Sequence, residues 1–182
     1  VLAAGRGKLA PSLFLTEIGP KLREMQAAPD KATAAATDLA SIISLGPLCQ
    51  EAFAQPTHEG ATGFAHLLAP LCSPHSELQA AAAGIVAEAC SNEKSAAAFA
   101  DPDLGLVGRI VDLLASDNDT TRQHAATALG RAVGSGMTTK ERIKEVIKGS
   151  PDAKDLLAVV HKTSTSSEMR GQAKELLQES GV

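Results

Sequence analysis

The feature that most constrains this chain is a helical segment that returns at a nearly constant interval. The stretch LCSPHSELQAAAAGIV, which begins at Leu71, matches LASDNDTTRQHAATAL, which begins at Leu114, 43 residues further on. Each stretch reads as the end of one helix, a polar turn and the start of the next helix. The turn is therefore a repeated unit of this chain.

Two further copies extend the pattern. The stretch MQAAPDKATAAATDLASII, from Met25, precedes the Leu71 copy by 46 residues, and SSEMRGQAKELL follows the third copy at an interval of 48 residues. Four imperfect units cover residues 18–180. Periods of this length with helical patterning are typical of an α-solenoid, in which each unit buries its apolar face by stacking on its neighbours. We therefore predict an all-α fold, an α-solenoid of four repeats.

The spacing of small and apolar residues inside the units supports helices. Aromatic residues make up 2% of the chain, which contains no Trp and no Tyr, and alanine-rich runs suit closely packed helices better than strands. Two stripes at i, i+3, i+4 and i+7 predict the buried faces: Ala82, Ile85, Val86 and Ala89, then Ala125, Ala128, Leu129 and Ala132. We expect Leu129 to lie in the core between repeats.

Turn residues predict where these helices begin and end. Asp101 before Pro102 and Ser150 before Pro151 predict capped helix starts. The residue pairs that predict capping boxes are Thr138 with Glu141 and Thr165 with Glu168. The VGSG stretch at 133–136 predicts a helix stop.

The chain divides into a short arm and one domain. We expect residues 1–14 to form an arm or a frayed helix end, because they carry two glycines and a proline. Residues 15–182 are expected to form a single solenoid domain of helices and short turns. Its longest irregular connection is predicted at 55–63, QPTHEGATG.

Charge and cysteine content exclude several classes of function. The formal net charge is −4, and no run of Lys or Arg could follow a phosphate backbone. The three cysteines lack CxxC spacing, which argues against a disulfide framework and for a reducing compartment. No apolar stretch approaches the ~18 residues that span a bilayer. We expect an intracellular protein, cytoplasmic or, after removal of a targeting segment, organellar, that binds no nucleic acid.

Motifs that could carry chemistry are incomplete. GRGK at 5–8 lacks the upstream Gly and the following Ser or Thr of a phosphate loop. Cys72, His75 and His66 could offer three zinc ligands, but no second ligand pair exists, which favours an apolar Cys under the turn with solvent-facing His. We expect no metal and no cofactor.

The remaining polar residues also give no catalytic pattern. His58 is assigned to a loop, and His124 and His161 are assigned to solvent-facing positions. No GxSxG elbow or cysteine-nucleophile signature appears, and Glu88 with Glu93 looks like a pair of solvated carboxylates. We expect no enzymatic activity and no small-molecule substrate.

One unit carries a family resemblance. GLVGRIVDLLASDNDTTRQHAATALGRAV, from Gly105, resembles an armadillo repeat: a Gly, an apolar helix ending in paired Leu, a Ser and Asp turn, then Gln or Arg before small and apolar positions. IGPKLREM, from Ile18, is similar to the start of the second helix of such a repeat, and the segment at 169–173 is equally similar to HEAT repeats. The resemblance implies an armadillo/HEAT-like solenoid whose final helices line a protein-binding face.

A departure from that family bears on the partner. Armadillo proteins that grip extended peptides resemble one another in carrying Asn in the pattern Ala-Leu-x-Asn-Leu, and its amide both donates to and accepts from a peptide backbone. The matching positions here, on the final helix of three successive repeats, hold Ile42, Glu88 and Arg131. We call these three residues the third-helix row. None of these side chains can bond a main chain in both directions. We therefore predict a scaffold that binds a folded protein partner, or neighbouring subunits, through this row.

Two other functions stay open at this point. One is a constitutive structural subunit of a larger multiprotein complex, in which the solenoid surface is permanently covered. The other, implied by similar helical-repeat proteins, is a chaperone cofactor.

Overall fold

In the computed structural model, residues 12–26, 29–56, 60–150, 152–163 and 167–179 are described. Within these ranges every regular element is helical, which confirms the predicted all-α class. A π-helical turn at Phe14–Ile18 leads into the first α-helix. The α-helices are α1 Gly19–Met25, α2 Pro29–Ser44, α3 Pro47–Ala54, α4 Leu68–Leu71, α5 Ser76–Ala89, α6 Glu93–Phe99, α7 Leu106–Asp112, α8 Asp119–Gly134, α9 Met137–Gly149, α10 Ala153–Thr163 and α11 Ser167–Glu179. Short 3₁₀ turns occupy Gly63–His66, Pro102–Leu104 and Leu113–Ala115.

The helices stack in the order that the sequence repeats predict. The last helix of each unit, α2, α5, α8 and α11, packs on the last helix of the unit before it. We call these four the third helices. The shorter helices α3 and α6 also pack on each other. Each repeat of the sequence therefore corresponds to one layer of an α-solenoid.

Small residues and a few phenylalanines fill the core. Both alanine-rich stripes are buried, and Leu129 has no exposed surface. Phe53 and Phe99, which the repeat pairs at equivalent positions, are both fully buried. Phe64 lies between them, with its ring centroid 4.9 Å from that of Phe53 in an edge-on arrangement and 6.1 Å from that of Phe99. This aromatic cluster joins two neighbouring repeats.

The polar turn has the same hydrogen bonds in two repeats. The hydroxyl oxygen of Ser73 accepts the backbone N–H of His75 at 3.1 Å. One repeat later, the hydroxyl oxygen of Ser116 accepts the backbone N–H of Asn118 at 3.3 Å. The two turns that match in sequence therefore also share a hydrogen bond between equivalent atoms.

A long polar side chain then closes each of these turns. Gln79 donates to the backbone carbonyl of Ser73, and Arg122 donates to the backbone carbonyl of Ser116. Both carbonyls lie in the turn, outside any helical ladder, so a side-chain donor stabilises them. The equal spacing between the Ser and the Gln or Arg in the two repeats therefore lets this long side chain stabilise the turn.

Several predicted helix ends are confirmed. The Asp101 carboxylate accepts the backbone N–H of Asp103 at 3.1 Å and caps the Pro102–Leu104 turn. Helix α8 ends at Gly134, inside the predicted VGSG stop. Between α3 and the turn at Gly63, residues 55–62 contain no helix in their described part.

One predicted cap is wrong. Thr138 was expected to cap a helix together with Glu141, but α9 begins at Met137 with Gly136 as its N-cap, and no side chain caps it. The extended backbone of Gly136 (φ 160°) ends the turn after α8 early, so Thr138 already lies in the first helical turn. Ser150 is the C-cap of α9. The expectations for residues 1–11, Pro151 and Thr165 lie outside the described residues.

Candidate protein-binding surface

The third-helix row runs across three consecutive third helices. Ile42 lies half-buried on α2 and packs against the core. Glu88 on α5 and Arg131 on α8 keep 37% and 31% of their side-chain surface exposed. The repeat therefore brings two of the three predicted residues into direct contact while both remain accessible.

The contact between Glu88 and Arg131 is an ion pair between equivalent positions. Arg131 Nη1 donates to Glu88 Oε1 at 3.0 Å, across a sequence separation of 43 residues. The same Nη1 donates to the backbone carbonyl of Ala87 at 2.8 Å. Ala87 lies in the last turn of α5, where carbonyls have lost their helical N–H partners. Arg131 therefore caps the preceding third helix while pairing with its neighbour in the row.

His124 is partly buried against the preceding repeat, whereas the sequence pattern assigned it to a fully solvent-facing position. Its Nδ1 lies 2.9 Å from the backbone carbonyl oxygen of Ala80 on α5. Because a carbonyl oxygen only accepts, Nδ1 must carry the proton in this contact. Gly84 makes room for the ring, since a Cβ at that position would lie 3.0 Å from two ring atoms of His124. The small residue that admits the imidazole belongs to the preceding repeat.

A second ion pair joins the same two repeats through the shorter helices. Lys94 Nζ on α6 lies 3.5 Å from Glu51 Oε2 on α3, although these two residues do not occupy equivalent positions in α3 and α6. Beside it, the buried hydroxyl of Ser95 donates to the backbone carbonyl of Gln50 at 2.7 Å. The second and third repeats are thus fastened by polar contacts on both sides of the core.

Two exposed apolar side chains in turns that follow third helices were not predicted from the sequence. Leu45, which follows α2, is 79% exposed, and Met137, which starts α9, is 72% exposed. Each adjoins a glycine in the turn after a third helix, Gly46 and Gly136. Their positions in the sequence could have indicated this exposure, because both residues fall in the turn that ends a repeat, outside the buried stripes.

The candidate zinc ligands Cys72, His75 and His66 are not grouped to form a metal site. Cys72 is exposed, not packed under the turn as expected, and His66 Nδ1 lies 3.2 Å from Gln26 Nε2. Among the described residues, no three His, Cys, Asp or Glu side chains are grouped to hold a metal ion. A cavity of 440 Å³ opens between the α6–α7 corner and α9, lined by Ala100, Asp101, Pro102, Gly105, Val107, Gly108, Arg142, Glu145 and Val146.

No helix in the described part of the chain is long and apolar enough to cross a membrane.

Comparison with known proteins identifies the fold. No protein-family model and no curated protein matches the chain. Among solved structures, the chain is similar to an engineered protein at 25% identity and a TM-score of 0.71, over 90% of this chain and 62% of that one. A second engineered protein is 25% identical with a TM-score of 0.69, over 89% of this chain and 37% of that one.

A third solved structure is similar over most of this chain. A designed armadillo repeat protein in complex with the peptide (KR)4 is 16% identical, with a TM-score of 0.71, over 91% of this chain and 69% of that one. Together with the helix order, these similarities show that the chain has an armadillo-like helical-repeat fold. The chain spans 62% and 37% of the lengths of the two engineered proteins.

Proposed function

We propose that this chain is a non-enzymatic scaffold that binds a folded protein partner through the third-helix row. The observation that carries the proposal is the ion pair between Glu88 and Arg131, which presents fixed opposite charges on adjacent third helices. The designed armadillo repeat protein in complex with a peptide supports a protein ligand for a fold of this kind.

The chemistry of the row favours side chains of a folded partner over an extended backbone. A peptide backbone alternates donors and acceptors, whereas the guanidinium only donates and the carboxylate only accepts. Arg131 uses Nη1 for both of its observed bonds, so the edge formed by Nε and Nη2 is not part of either. Glu88 likewise bonds through Oε1. A partner with charges at matching positions can bind both free edges, and charge complementarity of this kind sets orientation and association rate.

The mutual pairing of the two residues permits a clean test. Exchanging the charges with Glu88→Arg and Arg131→Glu preserves an internal ion pair and reverses the charges that meet a partner. We expect the doubly exchanged chain to stay folded, with a thermal midpoint lowered only by the loss of the bond from Arg131 to the Ala87 carbonyl, and to lose a foreign partner captured from an extract of the source cells. Sizing of the eluted complex by light scattering identifies the loss.

A matched control lies on the shorter helices. Exchanging Glu51 and Lys94 in the same way reverses another ion pair between the same two repeats, away from the row, so capture should be unchanged. Equal capture by both exchanged chains would contradict the role of the row. Tight binding of an unstructured peptide such as (KR)4, with backbone hydrogen bonds along α2, α5 and α8, would contradict a folded partner.

A further inference from the structure

The cavity of 440 Å³ between the α6–α7 corner and α9 has a lining that does not include the third-helix row. Apolar side chains such as Val107 and Val146 form part of this lining. Three charged side chains, Asp101, Arg142 and Glu145, also line it. Binding pockets have volumes of about 300–1,000 Å³ and combine an apolar lining with a few polar groups. The cavity therefore has the size and the chemistry of a binding pocket.

The missing side chain of Gly108 keeps the cavity open. Gly108 lines the cavity from within α7. Its φ is not positive, and a Cβ at this position would meet no atom within 4 Å. Neither the backbone nor close packing therefore requires glycine here, although alanine is the better helix former. The space that a side chain would occupy remains available to a group from outside the chain.

Two side chains of opposite charge on α9 are available at the cavity. Arg142 and Glu145 are both exposed and lie three residues apart, a spacing at which opposite charges on a helix pair. Glu141 and Lys144 have the same spacing on α9 and form an ion pair at 3.0 Å. By contrast, neither Arg142 nor Glu145 forms an ion pair or a side-chain hydrogen bond with another described residue. A guanidinium and a carboxylate are thus both available to a ligand.

The opposite wall of the cavity adds a second acceptor. Asp101 lies half-buried at the α6–α7 corner. Its Oδ1 accepts the backbone N–H of Asp103 at 3.1 Å, and its Oδ2 takes no part in that bond. The cavity therefore offers carboxylate oxygens from two walls and a guanidinium from one.

We propose that this cavity binds a tryptophan side chain of a partner protein. An aromatic ring has a negative face and a positive edge. The Arg142 guanidinium would stack on the face, and the indole N–H would donate to Glu145 or Asp101, whose carboxylates only accept. An apolar cavity of about 150 Å³ already holds benzene, so 440 Å³ leaves room for the two rings of indole. The inference goes beyond the proposed function, because it concerns a separate surface.

The composition of the chain makes the first experiment direct. The chain contains no Trp and no Tyr, so the indole emission of an added probe has no background from the protein. The probe is N-acetyl-tryptophanamide, titrated with the whole chain. We expect its emission to move to shorter wavelength and to saturate, with a dissociation constant on the order of 1 mM, the weak end of the affinity range. In nuclear magnetic resonance spectra, the amides of Gly105 and Gly108 should shift most.

Related probes test the chemistry of recognition by the same amide shifts. N-acetyl-leucinamide has no ring for the guanidinium to stack on, and it should bind about fivefold more weakly or worse. The 1-methyl derivative of the tryptophan probe keeps both rings but has no N–H to donate. It should bind about two- to tenfold more weakly than the parent probe.

Substitutions in the chain test the location of the site. Gly108→Leu places a side chain in the cavity and should abolish saturable binding, while circular dichroism shows that the helices remain. Arg142→Gln should weaken binding by about two- to fivefold. Lys148→Gln is the matched control, because it removes a positive charge from α9 at a residue that does not line the cavity. Exchanging Glu88 and Arg131 should also leave probe binding unchanged.

Each outcome decides the proposal. Binding that does not saturate up to about 5 mM probe, equal affinity for the tryptophan and leucine probes, or amide shifts centred away from Gly105 and Gly108 would overturn it. Unchanged binding in folded Gly108→Leu would do the same. If Gly108→Leu does not fold, Arg142→Gln compared with Lys148→Gln decides the location, and equal affinities of these two variants would contradict the site.

Discussion

Glu88 and Arg131 occupy the same position in consecutive repeats and touch, with Oε1 and Nη1 3.0 Å apart. Glu51 and Lys94 also form an ion pair between these two repeats, at 3.5 Å, but from positions that are not equivalent. In a stack of repeats, equivalent positions are nearest neighbours, so the same charge at both positions would repel. The second repeat carries the acid and the third the base in both pairs. The two repeats therefore carry complementary charges at both points of contact.

Leu129→Ala should destabilise the fold strongly. Leu129 is fully buried, and removing its side chain leaves a cavity that costs about 2–5 kcal/mol in the free energy of unfolding. Asp117→Ala is the control, because Asp117 is exposed and the cap of α8 is the neighbouring Asn118. Urea unfolding of both variants checks this, and similar losses would contradict the assignment of the two faces.

The helices and their buried faces could be predicted because each repeat shows the same pattern of small and apolar residues. Apolar positions at i, i+3, i+4 and i+7 depend only on local sequence, and the interval between copies supplied the stacking order. The position of His124 could not be predicted in this way, because it depends on Gly84 in another repeat. From a helical pattern alone, a polar residue such as His124 is predicted to lie on the solvent-facing side of its helix.

The candidate site was predictable only in part, for a related reason. The alignment of repeats placed Ile42, Glu88 and Arg131 in one row, but the ion pair between Glu88 and Arg131 is seen only in the structure. The bond from Arg131 to the carbonyl of Ala87 was not predictable, since it requires a free backbone carbonyl at the end of α5. The exposure of Leu45 depends on the turn geometry after α2, which apolarity alone does not reveal.

Two glycines should respond oppositely to alanine. At Gly63 a Cβ would lie 2.4 Å from ring carbons of Phe53 and 2.8 Å from its carbonyl oxygen, and Phe53 is fully buried. Gly63→Ala should therefore cost about 1–3 kcal/mol or more through overpacking. Gly108 lies within α7, and a Cβ there meets nothing within 4 Å. Gly108→Ala should raise stability by up to about 1 kcal/mol, because alanine is the better helix former.

Thermal unfolding of both variants checks the contrast. The wild-type chain is the common reference, and circular dichroism confirms that each variant keeps its helices. A loss of stability in Gly108→Ala as large as that in Gly63→Ala would contradict the described packing of α7.

Gly84 and His124 should be energetically coupled. A methyl group at position 84 would press on the imidazole at 3.0 Å and displace Nδ1 from the carbonyl of Ala80. Gly84→Ala should therefore be less favourable in the wild-type chain than in a chain that already carries His124→Ala. A double-mutant cycle by urea unfolding should give a coupling energy of about 0.5–3 kcal/mol. Additive effects would mean that the ring does not lie against Gly84.

The buried thiol of Cys90 should make stability fall at alkaline pH. Burial raises the pKa of Cys90 in the folded chain, and the positive charge of Arg131 opposes this only in part. The unfolded thiol ionises near its ordinary pKa of about 8.5, so above that pH the unfolded state binds fewer protons than the folded state. The free energy of unfolding should then fall by up to about 1.4 kcal/mol per pH unit from this group.

Urea unfolding at several values between pH 8 and pH 10, a range spanning the ordinary thiol pKa, measures this slope. Cys90→Ala should decline less steeply with pH than the wild-type chain, whatever its stability at pH 8. Cys72→Ala is the control, because the Cys72 side chain is exposed in the folded chain and should leave the slope unchanged. Burial also raises the pKa of Cys49, so some decline should persist in Cys90→Ala. Identical slopes for the wild-type and Cys90→Ala chains would show that the Cys90 thiol ionises as readily folded as unfolded, contrary to its burial beside α8.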